Sequence, residues 1–121
     1  MPKTICLIDD EEEILNEVGS WLEDYGYNVM TATSGDEALE KMQNIIPHLV
    51  LLDIIMPKSD GLEVLSQLKR NKETASVPVI MLTAKIGSDT ILKAMALDAV
   101  DFFMKPFDTT ELLRAIRYYA V

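Results

Sequence analysis

Four consecutive aliphatic residues, Leu49, Val50, Leu51 and Leu52, are closed by Asp53, with Pro57 four residues further on. A segment apolar on both faces suits the central strand of a sheet covered on both sides, and Pro57 stops it from continuing as a ladder strand. The same design recurs along the chain. Lys3 to Ile8 is a short apolar and β-branched run that ends at Asp9-Asp10. Asn28 to Ala32 reads as a second strand. Val77 to Leu82, with Pro78 near its start, ends at Thr83-Ala84, and Asp101 to Met104 ends at Lys105-Pro106.

Between these runs the apolar spacing changes to that of helices. Ile14, Val18, Leu22 and Tyr25 form one stripe, with Leu15 beside it. Acidic residues in its first turn favour the helix dipole, and Gly26 suits the position just past the helix end. For Trp21 the spacing does not decide between core and surface. Ser34-Gly35-Asp36-Glu37 has the spacing of a capping box, opening a helix that buries Ala38, Leu39 and Met42. Pro47 and His48 read as an exposed loop into the central strand. After the polar turn Lys58-Ser59-Asp60-Gly61, a helix uses Leu62, Leu65 and Leu68, and Asn71 to Ser76 is a polar loop. Gly87-Ser88 caps a helix whose inward residues are Ile91, Leu92, Met95 and Ala96. Asp108 and Glu111 repeat the capping-box spacing before Leu112, Ile116 and Tyr119. Five strands alternating with five helices make a βα repeat, which requires parallel strands and right-handed crossovers.

Composition narrows the picture. A chain of 121 residues is one domain, residues 1–121, with room for one substantial core. Its apolar runs fall far short of the roughly 18 residues of a membrane span, and Met1-Pro2-Lys3 leads directly into a strand with no signal-like region. The expectation is a cytoplasmic protein with no membrane partner. The single cysteine, Cys6, cannot form an internal disulfide and sits in a strand pattern, where a buried structural thiol is expected. A net charge of −9 argues against direct nucleic-acid binding and favours a protein partner or a bound cation. The lone histidine, His48, excludes a multi-histidine metal site or a histidine catalytic pair.

The chemistry collects at the carboxyl ends of the strands, where open α/β sheets bind ligands. Strand one delivers Asp9 and Asp10, strand three Asp53, strand four Thr83 and strand five Lys105. Three converging carboxylates repel unless one is protonated or a cation is shared. Oxygen-only ligands suit Mg²⁺, which is typically held by one or two carboxylates plus phosphoryl oxygens. A cation, an ammonium and a hydroxyl around a carboxylate nucleophile are what phosphoryl transfer to an acyl phosphate needs. Each member also has an ordinary reading: Lys105 as a surface lysine, Thr83 and Asp10 as helix caps, Asp53 as a solvated strand end. That every one of these polar residues ends an otherwise apolar strand favours the joint reading. No Gly-rich nucleotide loop and no Cys/His zinc spacing occur.

Ile8-Asp9-Asp10-Glu11, Leu51 to Pro57 with Gly61, Leu82-Thr83-Ala84 and Lys105-Pro106-Phe107 together resemble the receiver domain of two-component response regulators, over essentially the whole chain. The resemblance implies a flavodoxin-like, doubly wound sheet of five parallel strands in the order 2-1-3-4-5 with five flanking helices. It implies that Asp53 accepts a phosphoryl group from the phosphohistidine of a sensor kinase or phosphotransfer protein. By the same resemblance Asp10, Asp53 and the backbone carbonyl of Ile55 ligate Mg²⁺ directly and Asp9 acts largely through water. Lys105 contacts the phosphoryl group, and Thr83 and Phe102 form a switch. The switch reshapes the face of helix 4, strand 5 and helix 5 for a downstream partner or output domain. The family also flanks the path of attacking water with the residues two after Asp53 and two after Thr83. Here these are Ile55 and Lys85, which implies a fairly long-lived acyl phosphate.

Three positions depart from the family pattern: Phe102 where tyrosine is frequent, Asp98 where glycine usually precedes the last strand, and His48 where aspartate usually follows Pro47. Two other functions compete. A haloacid-dehalogenase-like phosphatase uses similar residues, but it puts its nucleophile first, in an Asp-x-Asp motif, whereas here the acidic pair comes first. A receiver-like binding module working without phosphorylation would have no use for the complete set of Asp9, Asp10, Asp53, Thr83 and Lys105.

Overall fold

The computed structural model of the protein describes residues 2–56, 59–83 and 87–121. Five parallel strands form the main sheet: β1 (Thr4–Ile8), β2 (Asn28–Ala32), β3 (Leu49–Asp53), β4 (Val79–Thr83) and β5 (Asp101–Met104). They alternate with α1 (Glu12–Asp24), α2 (Gly35–Lys41), α3 (Gly61–Arg70), α4 (Ser88–Ala96) and α5 (Thr109–Tyr119). The sheet order is β2-β1-β3-β4-β5, as the resemblance implies. A further pair of two-residue strands, Ile55–Met56 and Ser59–Asp60, runs antiparallel beyond the end of β3.

Alternation along the strands sorts the core into two layers. Ile5, Leu7, Leu49, Leu51, Ile80 and Leu82 face α1 and α5, meeting Leu15, Val18, Leu22, Leu112 and Ile116. Cys6, Ile8, Val50, Leu52, Val79 and Met81 face the other way, toward Ala38 of α2, Val64, Leu65 and Leu68 of α3, and Ala94 of α4. All five residues of β3 and of β4 are buried, which explains their unbroken apolar runs. Pro78 lies just before β4, where its carbonyl accepts the amide of Val50 at 3.0 Å and no N–H is needed. Burial pushes the Cys6 thiol up to about 12, so it stays an inert packing group.

The caps follow the sequence. Ser34 accepts the Glu37 amide at 3.2 Å, while the Glu37 carboxylate takes the Thr33 amide at 2.6 Å, one residue before the expected one. Asp60 caps α3 through the Leu62 amide, and Asp108 caps α5 through the amides of Thr110 and Glu111. Gly26, at φ +91°, ends α1, and Asp98, at φ 70°, makes the left-handed turn where the family has glycine, a conformation that aspartate tolerates better than most residues.

Three local expectations need correction. Tyr25 is exposed, because α1 ends at Asp24 and its inward stripe is Leu15, Val18, Gly19 and Leu22. Among the described residues of α4 only Ala94 is buried; Leu92, Met95 and Ala96 are exposed and Ile91 half-buried, because the helix meets the sheet through its smallest side chain. His48 is half-buried rather than a free loop residue. Its Nδ1 accepts the Thr4 amide at 3.0 Å and its own amide donates to the Thr4 carbonyl at 2.7 Å, which closes the start of β1 against the β3 entry. The loop after α3 is tied down from within. Buried Thr74 donates to the Leu68 carbonyl at 2.6 Å, and Lys69 reaches the carbonyls of Ala75 and Val77.

Candidate functional site

Each strand hands over its polar residue at the same edge of the sheet. The Asp9 amide extends the ladder to the Ala32 carbonyl at 3.1 Å, so Asp9 is held at the end of β1 and its side chain is buried. Its Oδ1 accepts the Glu11 amide at 3.0 Å, a local turn that starts α1. Asp10 is half-exposed. Asp53 ends β3 with a side chain only 5 % exposed. Its Oδ1 accepts the Ile55 amide at 3.2 Å, the counterpart of the Asp9 turn. Thr83 ends β4 fully buried. The Lys105 amide donates to the Thr83 carbonyl at 2.6 Å, which brings the lysine over the ends of β3 and β1.

Carboxylate oxygens of Asp9, Asp10 and Asp53 all lie within 4.8 Å of one another. Lys105 Nζ sits 2.6 Å from Asp9 Oδ2 and 3.6 Å from Asp53 Oδ2. Like charges this close repel by about 3 kcal/mol per pair at the effective dielectric of a protein surface. The effect falls on Asp53: burial and then the charge of Asp9 push its carboxyl up to about 6, against the pull of Lys105 and the Ile55 amide. For Lys105, burial works against the charged form, but the hydrogen bond to Asp9 and the charges of Asp53, Asp9 and Glu11 outweigh it, and the ammonium is held above its ordinary value.

The three carboxylates, with one ammonium among them, retain an excess of negative charge. An oxygen-only donor set with that excess fits a hard divalent cation such as Mg²⁺. The sequence-derived residues Asp9, Asp10, Asp53 and Lys105 are thus brought together. Thr83 stands at the adjacent strand end. Phe102 stands one step back, beside Met81 in the β4–β5 register, half-buried against the α2–α4 side of the core. Ile55 contributes its amide to Asp53, while its side chain is exposed. Lys85 lies outside the described residues.

Gly61 proves to be part of the site's frame. A Cβ there would meet the Ile54 Cα at 2.5 Å, the Asp53 carbonyl at 2.6 Å and the Ile54 carbonyl at 2.7 Å, all backbone atoms. The start of α3 is thus pressed against the peptide that follows Asp53, an approach only glycine permits. In the sequence Gly61 is legible only as part of a motif. The backbone donors of Glu11 and Ile55 carry no side-chain signal beyond an aspartate two residues earlier. Next to Lys105, a groove of about 580 Å³ runs between α1 and the β5–α5 connection, lined mainly by Ile14, Val18, Trp21, Pro106 and Phe107.

Residues 5–117 match the model of the response regulator receiver domain, and the chain belongs to that family. It is 41% identical over 112 residues to the alkaline phosphatase synthesis transcriptional regulatory protein PhoP of Bacillus subtilis, covering 93% of this chain and 46% of that protein. It is 35% identical over 115 residues to the phosphate regulon transcriptional regulatory protein PhoB of Pseudomonas aeruginosa, covering 95% and 50%. The chain therefore spans about half the length of these curated relatives. Among solved structures, the chemotaxis protein CheY4 of Vibrio cholerae superposes with a TM-score of 0.92 at 28% identity, over 98% of this chain and 99% of that one. A response regulator from Chloroflexus aurantiacus superposes equally well, at 0.92 and 27% identity, over 99% and 98%. The protein is a two-component receiver domain with the flavodoxin-like architecture. Among the described residues no helix is long and apolar enough to cross a membrane.

Proposed function

We propose that this receiver accepts a phosphoryl group on Asp53 in a Mg²⁺-dependent transfer from the phosphohistidine of a sensor kinase or phosphotransfer protein. The observation that carries the reading is the convergence of Asp9, Asp10 and Asp53 within 4.8 Å, with Lys105 bridging Asp9 and Asp53. In the transfer a carboxylate oxygen of Asp53 attacks phosphorus; the P–N bond to the donor imidazole breaks, and an acyl phosphate forms. Asp9, Asp10, Asp53 and the Ile55 carbonyl would hold Mg²⁺, which supplies charge neutralisation for the transferring group when bound. Lys105 offers a preorganised positive charge to the phosphoryl oxygens, and the Thr83 hydroxyl is the nearby group able to follow them. The amide of Ile55 and the close packing of Gly61 fix the Asp53 peptide, so the nucleophile needs little reorganisation before attack. The apolar groove beside Lys105 offers a donor protein a surface next to the acceptor.

The transferred group would be read by a downstream protein or output domain, since the curated relatives are twice as long and named as transcriptional regulators. The chain works as a cytoplasmic phosphoacceptor rather than as an enzyme with turnover, and its acidity, net −9, disfavours direct contact with nucleic acid by this region. The test is incubation with Mg²⁺ and acetyl phosphate, followed by intact mass. Wild type gains one phosphoryl group and Asp53→Asn gains none. Equal modification of the two would sink Asp53 as the acceptor, and modification of neither would return the reading to a binding module that works without phosphate.

A further inference from the structure

The groove beside Lys105 does not end with its apolar stretch. Trp21 and Thr109 line both it and a second hollow of about 340 Å³, which opens between Tyr25, just past α1, and Leu113, Arg114 and Arg117 of α5. Each volume falls within the range of small-ligand sites, about 300 to 1,000 Å³. The two parts differ in chemistry. In the first, Trp21 stands on the α1 wall and Phe107 on the opposite one, and the charged residues are Glu17 and Lys105, whose ammonium is already engaged by Asp9 at 2.6 Å. In the second, the Arg117 guanidinium lies 5.7 Å from the centre of the Tyr25 ring, and that ring meets Trp21 edge-on at 5.7 Å. The chain carries a net charge of −9, yet two of its three arginines come together here. The third, Arg70, is paired with Glu63 at 3.2 Å, whereas among the described residues neither Arg114 nor Arg117 makes an ion pair. A guanidinium stacked on an aromatic ring keeps its N–H edge free for an acid group.

We infer that the joined groove is a binding site for a small aryl anion, with its ring system between Trp21 and Phe107 and its carboxylate or sulfonate group on Arg114 and Arg117. Charge fixes the direction. The Glu17 carboxylate repels the acid group from the apolar arm, and the two arginines draw it to the other. The rings supply the apolar contact, and the arginines select the anion over a neutral ring system. A ligand so placed covers Pro106 and Phe107 and closes the surface offered to a donor protein. That consequence alone rests on the phosphoacceptor reading; binding itself needs neither a phosphoryl group nor a cation.

The probes are anilinonaphthalene sulfonate and phenylnaphthylamine, which has the same rings without the acid group. Each is titrated into the protein in chelator without phosphodonor, and energy transfer from Trp21, the single tryptophan, reports occupancy. The sulfonate is expected to bind saturably, one to one, and about tenfold more tightly than the neutral probe. Arg114 and Arg117 are both exposed, so Arg114→Gln with Arg117→Gln leaves the core untouched. That double variant should lose about tenfold for the sulfonate and nothing for the naphthylamine. Phe107→Ala should weaken both probes, and Arg70→Gln, which removes the same charge from α3, should weaken neither. Amide shifts on saturation should concentrate in α1 and the first half of α5. No saturable binding of the sulfonate overturns the site and leaves the groove to the donor protein. Equal affinity for the two probes, or a double variant that holds the sulfonate as tightly as wild type, overturns the anion selectivity and with it the proposal. Either failure leaves phosphoryl acceptance by Asp53, read separately by mass, where it stood.

Discussion

At Asp53 folding and function pull in opposite directions. A nucleophilic carboxylate must be ionised, yet burial and Asp9 push this one from 3.8 up to about 6. A group whose folded pKa is raised contributes stability that is complete below its unfolded value and is lost as pH rises through the folded one. For Asp53 the loss falls between about pH 4 and pH 6, and the ionised side chain strains the fold at neutral pH. Asp53→Asn is therefore expected to be more stable than wild type at pH 7.5, by about 2 kcal/mol in chelator, with the difference shrinking toward zero at pH 4. Urea unfolding at the two pH values checks this, and a variant less stable than wild type at pH 7.5 would contradict it. The same residues explain what could be read without a structure. Asp9, Asp10, Asp53, Thr83 and Lys105 are legible because each is polar at the end of an apolar strand. The partition of Lys105 between Asp9 and Asp53 is not legible, because it depends on ångström-scale distances between strand ends far apart in sequence.

At the scale of elements, the strands and caps were readable and the half-covered faces were not. The sheet's central strands are apolar on both faces and leave no ambiguity. On α4, apolar spacing points inward for Leu92 and Met95, but both are exposed, and the buried contact is Ala94. Periodicity identifies a stripe; it cannot tell a stripe covered by the sheet from one left for something else. His48 was equally opaque, since a ring accepting a backbone amide across two strand starts leaves no trace in sequence spacing. The β3–α3 junction gives the sharpest test at this scale. Gly61→Ala forces a methyl against three backbone atoms that cannot rotate away. The expected outcome is destabilisation by about 2 to 3 kcal/mol, together with slowed phosphoryl acceptance, because relief comes only from moving the Asp53 peptide. Asp108→Ala, which removes the acceptor of two α5 amides, is expected to cost about 1 kcal/mol, less than Gly61→Ala. A Gly61→Ala protein as stable as wild type would mean that the junction is looser than its packing indicates.

At the scale of the whole molecule, the β4–β5 register sets Thr83 of the site close to Phe102 of β5. Thr83 pairs with Met104, and Met81 with Phe102, so Thr83 and Phe102 lie on the same side of the sheet, one step apart. Phe102 is half-buried against the α2–α4 side of the core, whereas Met104, Leu92 and Met95 stand exposed at 49%, 67% and 43%. If Thr83 follows a phosphoryl group on Asp53, the space it leaves favours the packing with Phe102 further in, and the apolar face beyond is rearranged. No tyrosine hydroxyl is present at this position, so ring packing alone has to carry the change. Such a device is a shift between two packings of one fold, and a ligand moves it only by its differential affinity for them. Beryllofluoride with Mg²⁺ is expected to shift amide resonances in 87–104 as well as around Asp53, without altering the secondary structure. Phe102→Ala should weaken the response in α4 and β5 while leaving beryllofluoride binding at Asp53 intact. Shifts confined to the neighbourhood of Asp53 in the wild type would break the proposed link between the two ends of the molecule.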